Sequence, residues 1–239
     1  HLSNEAVLTS NTSGISLSEL SEDMSDDLKS RFFITHFFNP PRYMKLVEVI
    51  YPENINQDLM NSIVDILENN LGKGVVHAKD TPNFIANRIG VFGMMKVLEV
   101  AREMKLSVED IDFFTGSLIG RPKSGTFRTA DIVGLDTMVY VGKTAYEKCE
   151  DDEARDTFKL PDYIQKMIDN NWLGQKTGQG FYKKIEKGVI HSIDLETLEY
   201  SPQHKKKYPG VRLAKEYVSL DDRIRKLVYS DDPAGKFTW

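Results

Sequence analysis

The chain has 239 residues, enough for one large hydrophobic core or two small ones, and its 40% hydrophobic and 28% charged content is that of an ordinary soluble protein. A formal net charge of −5 gives no electrostatic reason to expect nucleic-acid binding. No apolar run approaches the roughly 18–20 residues that span a bilayer, no signal peptide is evident, and the single cysteine, Cys149, excludes an internal disulfide framework and fits a reducing, cytoplasmic compartment.

Ala6 to Asn11 reads as a short buried strand running into a polar turn, Ser16 to Leu20 as a short helix, and Asp23 to Lys29 as a charged, exposed connection. Phe32 to Phe38 is a strand stopped by Asn39-Pro40-Pro41, because proline has no amide to donate to a sheet. Leu46 to Ile50 is the next strand. From Gln57 to Leu71, apolar residues fall at Met60, Ile63, Val64, Leu67 and Leu71, which is helical spacing, and Gly72 and Gly74 end it. Val75-Val76 starts another strand. This order suits the closing half of an open α/β nucleotide-binding sheet.

Thr81-Pro82 marks a change, since threonine is a good N-cap and proline fits a first helical turn. The predicted helix runs from Pro82 to about Met104, and its first half, apolar on most sides, predicts a central buried helix. Further helices are predicted at Ser107–Thr115, Ala130–Glu147 and Leu160–Asn170, with no strand pattern between them, so this region reads as all-helical. After Tyr182, the alternation from Gly188 to Tyr200 suggests a β-hairpin; Gln203 to Pro209 reads as a basic exposed linker and Leu220 to Tyr229 as a helix. The expected segments are therefore 1–80, the C-terminal part of a Rossmann-type domain; 81–184, a helical domain; 185–217, hairpin and linker; and 218–239, the start of a further helical segment. The chain begins at His1 within what reads as the middle of a domain, and the parent chain is expected to continue past Trp239.

The chemistry begins with His36, near the end of one apolar strand, and Glu48, twelve positions later in the next. An imidazole paired with a carboxylate moves protons near neutral pH, because imidazole titrates at about 6.5 and a carboxylate raises and orients it. From spacing alone, a core histidine held by any nearby acceptor reads equally well. The surrounding motifs add to this. His36-Phe37-Phe38-Asn39-Pro40, Met44-Lys45-Leu46-Val47-Glu48, Lys79-Asp80-Thr81-Pro82, Phe84-Ile85-Ala86-Asn87-Arg88 and Gly174-Gln175-Lys176-Thr177-Gly178-Gln179-Gly180-Phe181-Tyr182 occur in one order. Together they closely resemble the 3-hydroxyacyl-CoA dehydrogenase family of fatty-acid β-oxidation, over about residues 5–184. Gly120-Arg121-Pro122-Lys123-Ser124 through Asp131-Ile132-Val133-Gly134-Leu135-Asp136 looks like the large bacterial members that also carry an enoyl-CoA hydratase domain.

The resemblance implies NAD-dependent oxidation of a 3-hydroxyacyl-CoA to the 3-ketoacyl-CoA, with His36 as the base and Glu48 holding its second ring nitrogen. It makes Ser13 the hydroxyl that bonds the substrate oxygen, against the plainer reading of a turn residue satisfying its own backbone. Gly14 stands where relatives often have a second serine. Asn87 matches a substrate-side asparagine, against a helix–helix hydrogen bond. Asn39 corresponds to a residue near nicotinamide and substrate, against a mere turn residue before the prolines, and Lys176 to a lysine that reaches the cofactor, against an exposed surface lysine. Arg121, Lys123 and Arg128 fall in one short loop; contact with the phosphates of CoA would suit Arg121 and Arg128, and a solvated loop is the plainer and preferred reading. A homodimer through the helical domain is also implied.

No strand–Gly-x-Gly-x-x-Gly–helix element is present: Gly72-Lys73-Gly74 and Gly178-Gln179-Gly180 lack the context and the third glycine. The half that holds NAD most tightly is therefore expected before residue 1, and these residues alone are expected to turn over little. The five histidines, His1, His36, His77, His191 and His204, show no metal-ligand spacing. An association module without catalysis, and a dehydrogenase of a non-CoA hydroxy acid, remain open.

Overall fold

The computed structural model describes residues 3, 6–204 and 206–239; His1 and Lys205 lie outside the described residues. The chain divides into two compact units, His1–Gly90 with Thr144–Glu153, and Val91–Lys143 with Ala154–Trp239.

In the first unit, β1 (Leu8–Ser10), β2 (Phe32–Phe37), β3 (Leu46–Ile50) and β4 (Gly74–His77) form one sheet in sequence order. β1 pairs parallel to β2, β2 antiparallel to β3, and β3 parallel to β4. β2 is buried from Phe32 to His36, so both faces must be covered, and two-residue alternation divides its side chains between two cores. Phe32 and Ile34 pack with Ile50, Ala78, Phe84 and Leu17 of α1 (Leu17–Ser21). Phe33 packs on the other face with Val47, Val49, Met60 and Leu67. The helix carrying Met60 is α3 (Gln57–Asp65), whose last turn widens into a π-helical turn over Ile66–Asn70. The segment read as a charged connection contains a short helix, α2 (Asp26–Lys29), because the Ser25 hydroxyl accepts from the Leu28 amide and closes a turn.

The helix predicted from Pro82 begins four residues later, as α4 (Ala86–Glu103). Asn83 and Phe84 have φ of 64° and 51°, which no helix tolerates, so Thr81 caps nothing. The helix is not buried all round either. Val91, Met95, Leu98 and Ala101 form one buried stripe, whereas Ile89 is 66% exposed.

In the second unit, α5 (Val108–Phe114) and α8 (Asp162–Asp169) fall where predicted. The single helix expected over Ala130–Glu147 is two, α6 (Phe127–Val133) and α7 (Leu135–Lys148). Gly134 separates them with φ +98°, a conformation that breaks the helix and favours glycine. The hairpin starts before Gly188: β5 (Tyr182–Glu186) and β6 (Val189–Ile193) pair antiparallel, with Gly188 at φ +87° as the turn residue rather than the first strand residue. β7 (Tyr200–Pro202) adds a third strand. Three short helices follow: α9 (Pro209–Ala214), α10 (Leu220–Val228) and α11 (Pro233–Thr238). The stretch read as a linker is anchored at its end, because the buried Tyr208 ring meets Phe114 edge-on at 4.9 Å. The fold is thus a mixed α/β sheet followed by a helical region, as expected. No helix of the described residues is long and apolar enough to cross a membrane.

Candidate active site

Antiparallel register sets His36 of β2 directly opposite Glu48 of β3, so their side chains project from the same face. Both are almost fully enclosed, at 4% and 1% exposure. His36 Nδ1 lies 2.8 Å from Glu48 Oε2. The other carboxylate oxygen, Oε1, accepts from the backbone amides of Ile85 (3.0 Å) and Ala86 (2.8 Å). Ala86 is the first residue of α4 and Ile85 the one before it, so neither amide has a partner inside the helix. Glu48 therefore takes the place that the sequence assigned to Thr81. Burial works to raise the Glu48 carboxyl, but the hydrogen bond with His36 and the two amides outweigh it and hold the group below its ordinary range.

The His36 ring is flanked by Phe38 (centroids 4.5 Å apart) and Phe84 (5.7 Å). Its second nitrogen, Nε2, makes no hydrogen bond to a described residue. With Nδ1–H donated to Glu48, the Nε2 lone pair is the one that can accept a proton.

β1 and β2 run parallel, so the turn after Ser10 and the end of β2 lie at the same edge, where open α/β sheets present their ligands. Asn11 joins them, its Oδ1 accepting from the Phe37 amide at 2.9 Å. Ser13 is exposed in that turn, and its carbonyl accepts from Asn87 Nδ2 at 3.1 Å. Asn39 is exposed just beyond β2. His36, Glu48, Ser13 and Asn87 are thus linked within one unit. Ser13 and Asn39 are exposed at the sheet edge where β2 ends. Sequence reasoning missed Asn11 as a tie and the Ile85 and Ala86 amides. Asn11 stands where the first strand runs into its polar turn, whereas the amides carry no side-chain signal.

The remaining site residues belong to the second unit. Lys176 Nζ pairs with Asp136, 2.5 Å from each carboxylate oxygen, with both side chains nearly half exposed. Arg121 is exposed after Gly120. Arg128 does not share its loop: it lies in the first turn of α6, with its guanidinium 4.2 Å above the Tyr182 ring. The reason is Asp112. This buried carboxylate accepts from the amides of Phe127 (2.5 Å) and Arg128 (2.9 Å), starting the helix there, and from the Tyr182 hydroxyl (2.7 Å). Asp131 in turn accepts from the Phe181 and Tyr182 amides. Burial outweighs these bonds and pushes both aspartates up to about 6. The glycine-rich segment before Phe181 is packed against Asp131, since a Cβ on Gly174 would sit 2.3 Å from its carbonyl oxygen.

Residues 1–81 match the family model for the 3-hydroxyacyl-CoA dehydrogenase NAD binding domain, and residues 84–184 match the model for its C-terminal domain. The first match corrects the expectation that the cofactor-binding motif lies outside this chain. The chain is 45% identical over 239 residues, 100% of its length, to a probable 3-hydroxyacyl-CoA dehydrogenase of Bacillus subtilis, of which it covers 30%. It is 34% identical over 209 residues, 86% of its length, to a putative fatty acid oxidation complex trifunctional enzyme of Rickettsia prowazekii, of which it covers 29%. It thus spans less than a third of either relative. Among solved structures it is similar to (S)-3-hydroxybutyryl-CoA dehydrogenase PaaH1 from Ralstonia eutropha, with TM-score 0.63 and 32% identity over 73% of this chain and 59% of that one.

Proposed function

We propose, because this chain belongs to the 3-hydroxyacyl-CoA dehydrogenase family, that its protein oxidises the 3-hydroxyl of a 3-hydroxyacyl-CoA to the ketone with NAD. The observation that carries the reading is the enclosed His36–Glu48 pair, whose Nε2 makes no hydrogen bond to a described residue. When bound, NAD supplies the hydride acceptor, and Asn39 and Lys176 are the residues assigned to hold it. His36 Nε2 takes the hydroxyl proton; in the reverse direction the imidazolium returns it. Glu48 keeps the neutral ring's proton on Nδ1 and stabilises the positive ring that forms. The Ser13 hydroxyl binds the reacting oxygen, and Asn87 holds the Ser13 carbonyl while facing the substrate side. Exposed Arg121, and Arg128 with its planar face on Tyr182, are assigned to the CoA phosphates.

The same reading places the protein in fatty-acid β-oxidation in the cytoplasm, paired as a homodimer through its helical region; the Rickettsia relative's name supports the pathway. His36→Gln in the full-length protein tests the reading. The expected loss in kcat is roughly 10²–10⁴-fold, the usual contribution of a positioned acid–base group, with cofactor affinity retained. A kcat within a few-fold of the parent refutes the assignment.

A further inference from the structure

Glu48 takes two of its three hydrogen bonds from the Ile85 and Ala86 amides, and the two residues before them are left-handed. Asn83 has φ +64° and Phe84 φ +51°. Asparagine visits this region with modest cost; phenylalanine there is a backbone outlier. The Phe84 ring is 3% exposed in the core with Leu17, Phe32, Ile34, Ile50 and Ala78, and the Phe84 amide donates to the Thr81 carbonyl at 3.0 Å. Side-chain packing and this turn thus hold residue 84 in a conformation it would not choose. The chain leaves the turn with the Ile85 and Ala86 amides converging on one carboxylate oxygen. The next side chain, Asn87, reaches the Ser13 turn. At the other end of the segment, Asp80 accepts from the amides of Leu17 (2.7 Å) and Ser18 (3.0 Å), fixing the start of α1 just after that turn.

We infer that Asn83 is a positioning residue for the His36–Glu48 pair, acting through its backbone: its left-handed conformation aims the Ile85 and Ala86 amides at Glu48 and so holds that carboxylate in place against His36. This rests on the reading of His36 as the base for its catalytic meaning, though not for its test.

The test compares Asn83→Ala with Asn83→Gly in the full chain. Both remove the carboxamide, so any role of the side chain's own contacts is lost equally. Only glycine retains easy access to positive φ. Two readouts need no cofactor: the Glu48 side-chain carboxyl titration by ¹³C NMR, and hydrogen exchange at the Ile85 and Ala86 amides. Loosening two amide bonds to a carboxylate raises its pKa, so Asn83→Ala is expected to move the Glu48 midpoint up by about one pH unit and to speed exchange at both amides. Asn83→Gly is expected to leave both unchanged. The acid limb of the kcat/KM profile should move with the Glu48 midpoint. Equal behaviour of the two variants, whether both shift or neither does, overturns the inference. If Asn83→Ala does not fold, Asn83→Gly decides alone: an unshifted Glu48 supports the backbone role, and a shifted one overturns it. Were His36→Gln active, the catalytic reading would fail while the NMR result still decided whether Asn83 positions Glu48.

Discussion

Glu48→Gln changes one oxygen for one NH2 in a site with no room to hide the difference. Glutamine has the volume of glutamate, and the position is 1% exposed. Three donors now compete for what remains. If the carboxamide oxygen stays where Oε1 was, it still accepts from Ile85 and Ala86, and the NH2 group faces His36 Nδ1. That nitrogen must then be an acceptor, so the ring proton moves to Nε2 and the base is blocked. The opposite rotamer keeps the correct tautomer but turns NH2 against two part-buried amides, each costing roughly 1–2 kcal/mol when unsatisfied, the lower part of the usual range. The active arrangement is therefore disfavoured by about 2–4 kcal/mol, or roughly 30- to 1000-fold at about 1.4 kcal/mol per tenfold. The loss of negative charge beside the imidazolium adds to this. We expect kcat to fall by about 10³-fold with KM within about threefold, since Glu48 does not face the substrate. Steady-state hydride transfer in the full-length protein measures the rate, and ¹⁵N imidazole NMR reads the tautomer. The parent also carries a pH signature. A depressed carboxyl contributes stability that is full above its ordinary value of 4.5 and is lost as pH falls through the lower, folded value. In Glu48→Gln that acid dependence should vanish from the urea midpoint. A variant with kcat within fivefold of the parent, or with the proton still on Nδ1 and both amides protected, would refute the reasoning.

Three further substitutions separate structural from functional roles in the second unit. Asp112 is raised to about 6 by burial, so its contribution to stability is full below its ordinary value of 3.8 and is lost as pH rises through about 6. Asp131 titrates in the same window, so Asp112→Asn should flatten the urea midpoint between pH 4 and 6 by roughly half; an unchanged slope would show that Asp112 is not the group responsible. Gly174→Ala places a Cβ 2.3 Å from the Asp131 carbonyl oxygen at φ +101°, and we expect a loss of about 3 kcal/mol or more by chemical denaturation. A cost below about 1 kcal/mol would mean the loop moves aside freely. Lys176→Met breaks an exposed ion pair with Asp136 and should change stability by less than about 1 kcal/mol. If Lys176 holds the cofactor, the Kd for NAD rises at least about fivefold; unchanged affinity removes that role.

The readable parts of the fold were those with side-chain periodicity. The strands around His36 and Glu48 are apolar runs of fixed length with prolines behind the first, and once they pair antiparallel the register brings the two residues opposite each other. What escaped was set by backbone groups and by distant acceptors. Thr81-Pro82 satisfies every local rule for starting a helix, yet α4 starts at Ala86, because its free amides find Glu48 from another strand. Arg128 reads as part of the loop that holds Arg121 and Lys123, and only Asp112, many residues earlier, turns that stretch into a helix start. Gly134 and Gly188 gave the opposite error: each was passed over as an ordinary residue inside a pattern, when a positive φ made it the boundary. The glycine-rich tail after Leu173 lacks the dinucleotide pattern, and two of its glycines, Gly174 and Gly180, answer to the close approach of Asp131.

Glu48 shows why the unpredicted contacts matter to the chemistry. Burial works to raise the Glu48 carboxyl, and a protonated Glu48 could not stabilise an imidazolium. Its ionised state depends on donors from two places: the His36 ring on the adjoining strand, and two amides at the head of α4. The α4 donors follow a turn whose Phe84 ring is packed beside His36 and whose next residues lead to the Asn87 contact with the Ser13 carbonyl. The helix start, the charge on Glu48 and the placing of the serine turn therefore stand or fall together. A substitution that loosens the turn at residues 83 and 84 should disturb all three, while one that only thins the core beneath it should lower stability and leave the Glu48 titration where it was.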